Sequence, residues 1–276
     1  MVLMSVLLFG IVLACICLKI RVQLNRRRLR GGVQSLAGLQ TVLDAYRRGD
    51  YEGGLAQTEG LKDGSTRTAE YCFFRGKMLY QLGRLKDAEA SLREGLALEN
   101  DKRRIALSQE ALGSVLVELE RYNEAIECFE VSGRLWADRG CAHQEIAEAL
   151  LRRGGASAEA LARARRAANI DHSSQAMNAE IHNLNWSEAL ATLAWAVAEH
   201  FKDAAEVERL LAEALPLCGN ESRPIRAQLY YHAGRAYAAL GQTETSTRQF
   251  EQAMAIDPHG NYGRLARAGA SLTAVA

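Results

Sequence analysis

A recurring pattern of small and aromatic residues constrains this 276-residue chain more than any other feature. In the clearest copy, aromatic, small and proline residues follow one another at fixed spacings: Tyr230, Ala233, Gly234, Tyr237, Gly241, Ser246, Phe250, Ala253 and Pro258. The template also fits upstream segments that begin near Cys72, Leu112, Leu151 and Trp195, with a weaker copy near Tyr46. A period of this kind indicates an array of similar units, each packed on its neighbours.

The residue types within each copy favour a pair of helices. The whole chain has only three prolines, and alanine, leucine, arginine and glutamate dominate it, so long helices can propagate. We expect Gly76, Gly113 and Gly234 to lie midway along a first helix, where the second helix approaches closely. Glycines that tolerate a positive φ are expected between the two helices of a pair, at 49, 83, 155 and 241.

These motifs resemble the tetratricopeptide repeat (TPR), and the resemblance covers residues 36–260. It implies an all-α fold, a right-handed superhelical solenoid of about five to six antiparallel helix pairs. Residues 261–276 are predicted to form a C-terminal cap or tail. The spacing lengthens between positions 160 and 207, which predicts an extended loop or a lengthened helix within residues 169–186.

The same resemblance implies a binding surface, because the first helices of a TPR array line a concave groove. The template places twelve residues there, among them Val117, Glu145, Ala149 and Ala238. The candidate peptide-groove residues are Phe73, Lys77, Tyr80, Glu110, Ser114, Arg152, Tyr231 and Arg235. Tyr231 and Arg235 could hold an extended peptide by stacking and a bidentate charge contact, although an ordinary solvated helix face explains the pattern equally well.

An apolar segment precedes the repeats, and it predicts a transmembrane helix within residues 1–24. Residues 25–35 form a basic linker. The residues predicted to meet the membrane interface follow the apolar run: Lys19, Arg21, Arg26, Arg27 and Arg28. Positive charge on this side predicts a single-pass protein whose repeats face the cytoplasm. The excess of arginine over lysine is typical of a GC-rich genome, so we expect a bacterial inner membrane.

A second interpretation of the N-terminal segment places the repeats in the periplasm. Val12, Leu13 and Ala14 before Cys15 form a loose lipobox, the cleavage site of bacterial lipoproteins. The missing basic residues at the start and the apolar run beyond Cys15 oppose this interpretation. Lipidation of Cys15 therefore decides between an anchored cytoplasmic array and a periplasmic TPR lipoprotein that assists envelope, pilus or secretion assembly.

Motifs for enzymatic chemistry are missing from the sequence. It contains no GxxxxGK[ST], no GxSxG, no HExxH and no paired CxxC elements, so we expect neither catalysis nor a cofactor. Cys141 and His143 are two apart, which points them in different directions on a helix and argues against a metal site. The net charge of +1 and the lack of aromatic residues within basic runs argue against nucleic acid.

The sequence therefore predicts a membrane-anchored TPR adaptor or scaffold that binds a protein or an extended peptide. A small-molecule ligand is not expected. A third hypothesis is a regulator of an enzyme, whose groove binds a small ligand or phosphopeptide through Arg152, Arg153 and Arg235.

Overall fold

The computed structural model describes residues 40–60, 69–137, 140–155, 157–173, 179–218 and 222–273. Within these ranges the chain is all helical, with no strand. Its thirteen helices are α1 (residues 40–48), α2 (Tyr51–Gly60), α3 (Ala69–Gln81), α4 (Leu85–Leu98), α5 (Lys102–Glu118), α6 (Tyr122–Leu135), α7 (Cys141–Gly154), α8 (Ala158–Ser173), α9 (Ala179–Phe201), α10 (Ala204–Leu217), α11 (Arg223–Ala239), α12 (Thr243–Ile256) and α13 (Asn261–Thr273).

The predicted anchor, residues 1–24, and the basic linker, residues 25–35, lie outside the described residues. None of the helices in the described part of the chain has the length and apolar character needed to cross a bilayer.

The first twelve helices form six hairpins, each with a turn of two or three residues. Within a hairpin the two helices pack along one another, and the first helix of each hairpin also packs on the hairpin before it. The result is a helical solenoid, as the repeats predicted. A final helix, α13, packs on α11 and α12 at the C-terminal end of the array.

The turns confirm the sequence-based interpretation of the glycines. Positive φ angles of 72° to 76° occur at all four predicted positions: Gly49, Gly83, Gly155 and Gly241. In two other hairpins the corresponding turn carries a residue with a side chain. Glu120 and Lys202 adopt φ angles of 59° and 56° there, so this turn keeps its geometry even where the residue type opposes it.

Small residues in the first helices make room for large ones in the second helices. A Cβ atom at Gly76 would lie 2.6 Å from Leu92, and one at Gly234 would lie 2.5 Å from Phe250. Gly113 occupies the same position against Phe129. The predicted close approach is therefore confirmed in three hairpins. These contacts belong to a core that runs along the array between the two layers of helices.

The long gap in the repeat spacing corresponds to a lengthened α9. This helix has 23 residues, whereas the other described helices have between 9 and 17. It contacts α7, α8, α10 and α11, and its Trp195 is completely buried. The predicted lengthened helix is therefore confirmed for α9, and residues 174–178, where the predicted loop would lie, are outside the described ranges.

Candidate functional site

A cavity of about 270 Å³ lies inside the array, on the side formed by the first helices of the hairpins. Helices α1, α3, α5, α7, α9, α11 and α13 all contribute to its wall. Five of the eight candidate groove residues line it: Phe73, Lys77, Tyr80, Glu110 and Ser114. Sequence spacing thus brings residues from two neighbouring repeats to one concave surface.

One part of the cavity wall is aromatic and carries a lysine. The Lys77 Nζ atom lies 4.6 Å from the centre of the Tyr46 ring and 5.6 Å from that of Phe73. Both distances are within the range of a cation–π interaction. Lys77 is the one basic side chain among the described residues of this wall. Its contact with the rings shows that the aromatic surface can accept an ammonium group.

Three glutamates from three helices form another part of the wall: Glu110 of α5, Glu145 of α7 and Glu188 of α9. Burial raises the pKa of Glu145 well above its ordinary value, and the nearby carboxylates Glu148, Glu110 and Glu188 raise it further. A hydrogen bond from Ser114, with an O–O distance of 3.5 Å, opposes this rise only weakly. This region of the cavity therefore has a negative potential that a positive group would relieve.

Behind the cavity, the inner helices carry a buried polar network centred on Glu148. One carboxylate oxygen of Glu148 lies 3.1 Å from Nε2 of His232, and the Tyr262 hydroxyl donates to the same oxygen at 3.2 Å. Arg152 forms a two-pronged ion pair with Glu118 at 2.5 and 3.0 Å and lies 3.8 Å from Glu148. The side chains of Glu148 and His232 are at most 4% exposed. The network links α5, α7, α11 and α13.

The other three candidate groove residues are not part of the cavity wall. Arg152 is engaged by Glu118 within the buried network. Tyr231 is buried, and Arg235 donates to its hydroxyl at 3.2 Å while stacking on the Trp195 ring at 4.5 Å. The predicted pairing of Tyr231 with Arg235 therefore exists, but it is directed into the protein rather than toward a ligand.

Several cavity residues were not among the sequence candidates. Tyr46 belongs to the weakest repeat copy, and Glu188 belongs to the degenerate copy with lengthened helices, so the template gives neither a reliable position. Tyr262 follows the last repeat and enters the cavity from α13. Glu145 did match the template, and its carboxyl group was the feature of the sequence that could have marked it as a site residue.

Metal binding finds no support in the described ranges. They contain no group of three or more His, Cys, Asp or Glu side chains placed to hold an ion. The His143 Nδ1 atom lies 3.3 Å from Nη1 of Arg163, and Cys141 is buried.

Comparison with known proteins agrees with this geometry. The tetratricopeptide-repeat family model matches residues 69–102, 108–130 and 227–259, which correspond to α3–α4, to most of α5 and α6, and to most of α11 with α12. The chain contains tetratricopeptide repeats. Such repeats are modules for protein–protein interaction, and their stacking creates extended concave binding surfaces. The TPR matches include the helices that supply all five candidate groove residues of the cavity wall.

One curated relative is the protein O-mannosyl-transferase Tmtc1 of Drosophila melanogaster, which is 35% identical over 114 residues. This match covers 39% of the chain but only 13% of that relative. Among solved structures, Pseudomonas aeruginosa PilF is 16% identical, with 80% of this chain and 91% of PilF covered and a TM-score of 0.47. The TPR2AB domain of yeast Sti1, solved in complex with pHSP90, is 14% identical, with 88% and 98% covered and a TM-score of 0.40.

Proposed function

We propose that this protein is a non-enzymatic adaptor that binds a peptide segment of a partner protein at the central cavity. The observation that carries this proposal is the convergence of Phe73, Lys77, Tyr80, Glu110 and Ser114 on that cavity. In a TPR array these positions belong to the concave surface. A cavity of about 270 Å³ is smaller than the roughly 300–1,000 Å³ of pockets that enclose drug-sized ligands. It suits one inserted side chain as an anchor for the peptide.

The chemistry of the wall predicts that the inserted side chain is basic. Lys77 already contacts the Tyr46 and Phe73 rings, so the preference comes from the acidic part of the wall. Glu110 and Glu188 give the cavity a negative potential, which adds to burial in raising the pKa of Glu145, complements a basic group and disfavours an acidic one. A phosphopeptide, by contrast, needs a cluster of arginines at the surface. Of the three candidates for that role, Arg152 and Arg235 are engaged inside the protein, and Arg153 is exposed and donates to Asn123 at 3.1 Å.

A peptide-binding measurement tests this proposal. Fluorescent nonapeptides with randomised flanks carry lysine or its uncharged counterpart norleucine at the centre, and their binding to the full chain is followed by anisotropy. We expect the lysine pool to bind at least about tenfold more tightly, because only lysine complements the carboxylates. Glu110→Gln, which removes a carboxylate from the cavity wall, should weaken lysine binding about tenfold and leave norleucine binding unchanged.

The matched control is Glu251→Gln, which removes one negative charge from an exposed position of α12. It should leave both affinities unchanged. Equal affinity for the lysine and norleucine pools would contradict the proposal that the inserted side chain is basic. Equal losses of lysine affinity in the two glutamate variants would mean that only the net charge of the protein matters.

We further propose that the N-terminal apolar segment holds this adaptor at a membrane, with the repeats in the cytoplasm. The support is the order of the sequence, an apolar run followed by Lys19, Arg21 and Arg26–Arg28. Reporters active in only one compartment, fused to the C terminus, measure the orientation in bacteria. We expect a cytoplasmic signal that Cys15→Ala leaves unchanged. A periplasmic signal that requires Cys15 would instead establish the lipoprotein alternative.

A further inference from the structure

The segment of residues 257–264, which we call the clasp, connects the last hairpin to the first ones. Asn261 donates its backbone N–H to the Gln81 side chain at 2.9 Å and its amide group to the Tyr80 hydroxyl at 2.8 Å. Arg264 donates to the backbone carbonyls of Gln81 and Tyr80. Because these partners are about 180 residues apart, the array curls until its two ends meet. We call this line of contact the seam.

Two further contacts extend the seam on either side. The Tyr51 hydroxyl of α2 donates to Asp257, which is 2% exposed. The Asn261 amide also donates to Glu118 of α5 at 2.9 Å. The clasp thus reaches three successive hairpins, α1–α2, α3–α4 and α5–α6, from the opposite end of the chain.

The glycine turns of the first two hairpins contact side chains from the C-terminal end of the array. A Cβ atom at Gly83 would lie 3.2 Å from the Arg264 guanidinium. At Gly49 it would lie 3.4 Å from both Arg223 and Asp257. The turns of the first two hairpins therefore lie in van der Waals contact with side chains from the C-terminal end of the array.

The contacts of α13 divide by chemical type. Toward its own end of the array it is apolar, since Ala266 is completely buried and Gly269 lies directly against the Phe250 ring. Toward the first hairpins the contacts named above are hydrogen bonds from polar side chains. Hydrogen bonds between protein groups exchange readily for bonds to water, whereas apolar burial does not. The seam can therefore open while α13 stays attached to α11 and α12.

The seam also limits the cavity. Tyr262 of the clasp and Gln228 of α11 form its wall opposite Phe73 and Tyr80 of α3. With the ends joined, Tyr262 and Gln228 help to enclose a cavity of about 270 Å³, and parting the seam would widen it. We propose that the clasp is a reversible closure of the TPR ring, and that opening the seam admits the partner peptide. The admission of a peptide rests on the proposed peptide-binding function, whereas the reversible closure does not.

Hydrogen exchange measured by mass spectrometry on the full chain in detergent tests the closure without any ligand. Arg264→Ala removes donors from the clasp, and its effect is read across the seam, at residues 79–84 of the α3–α4 turn. Tyr51→Phe removes one hydroxyl from the other side with little change of shape, and its effect is read at residues 257–264. We expect exchange to accelerate about tenfold at these distant positions in each variant. The matched control is Arg248→Ala, an exposed arginine that contacts Glu244 and Thr245 of its own helix, α12.

The same proteins are then titrated with the central-lysine nonapeptide pool. A more open ring should bind it more tightly, because apparent affinity scales with the binding-competent fraction, so we expect about a three- to tenfold gain in Arg264→Ala. Exchange that rises only beside each substitution would overturn the closure. Exchange that rises across the seam with unchanged peptide affinity would overturn its control of access. If exchange rises but no pool binds any of the proteins, the closure stands and the peptide-adaptor proposal fails.

Discussion

Replacing Glu148 with alanine should lower the free energy of unfolding by about 3–5 kcal/mol, the usual cost of removing one member of a buried ionic network. The substitution would leave His232, which is completely buried, without its carboxylate partner. It would also remove the acceptor of the Tyr262 hydroxyl and weaken the charge balance around Arg152. Urea denaturation followed by circular dichroism measures the loss.

The control for this substitution is Glu251→Ala, at an exposed position, which should change stability by less than about 0.5 kcal/mol. Glu148→Gln separates charge from packing, because it keeps the shape of the side chain. A loss near zero for Glu148→Ala would mean that the network contributes nothing net to the fold.

The stabilisation by Glu148 should also depend on pH. Burial alone would raise its pKa, but the interactions with His232, Arg152 and Tyr262 outweigh burial and hold the pKa below the ordinary value of 4.5. A carboxyl group with a lowered folded-state pKa stabilises the protein above the ordinary pKa and loses that contribution as the pH falls through the folded-state value. The stability difference between the wild type and Glu148→Gln should therefore narrow on acidification below about pH 4.5.

Phe129→Ala should cost about 3–5 kcal/mol, as is usual for truncating a buried aromatic side chain. Phe129 is completely buried, and its ring fills the space that Gly113 leaves open on the facing helix. With no Cβ atom on Gly113 to close the gap, the truncated site would keep most of its empty volume. Urea denaturation again provides the measurement.

The matched control for that substitution is Phe201→Ala. Phe201 is 52% exposed at the end of α9, so its loss should cost less than about 1 kcal/mol. If Phe129→Ala lowered the free energy of unfolding as little as Phe201→Ala does, the contact between Phe129 and Gly113 would not be what stabilises the α5–α6 hairpin.

The fold of a single hairpin was predictable because its requirements are local. Gly83 and Gly241 adopt the positive φ that a short turn demands, and Gly234 lies under Phe250, each at its predicted place. These constraints operate within about thirty residues, so the spacing of residue types records them. The groove positions of α3 and α5 followed from the same local rules, and they reached the cavity.

The remaining features of the site depend on how successive hairpins stack, and the spacing of residues within one hairpin does not determine that stacking. Arg235 faces Trp195 of the lengthened α9 instead of the cavity. The sequence assigned Asn261 and Arg264 only to a polar cap or tail, because their partners on α3 are nearly two hundred residues away. Long-range partners of polar side chains leave no periodic trace in one sequence.

The meeting of the two ends at the seam changes how this array is expected to lose its structure. An open solenoid has two outer units with a neighbour on one side only, and it frays from those units inward. In this protein the turn of α1–α2 lies against Arg223 and Asp257 of the last hairpin, so each outer unit also supports the other. While the seam is closed, the stability of the first hairpin therefore depends on residues at the far end of the chain, and unfolding from this closed state should proceed as one cooperative event rather than unit by unit.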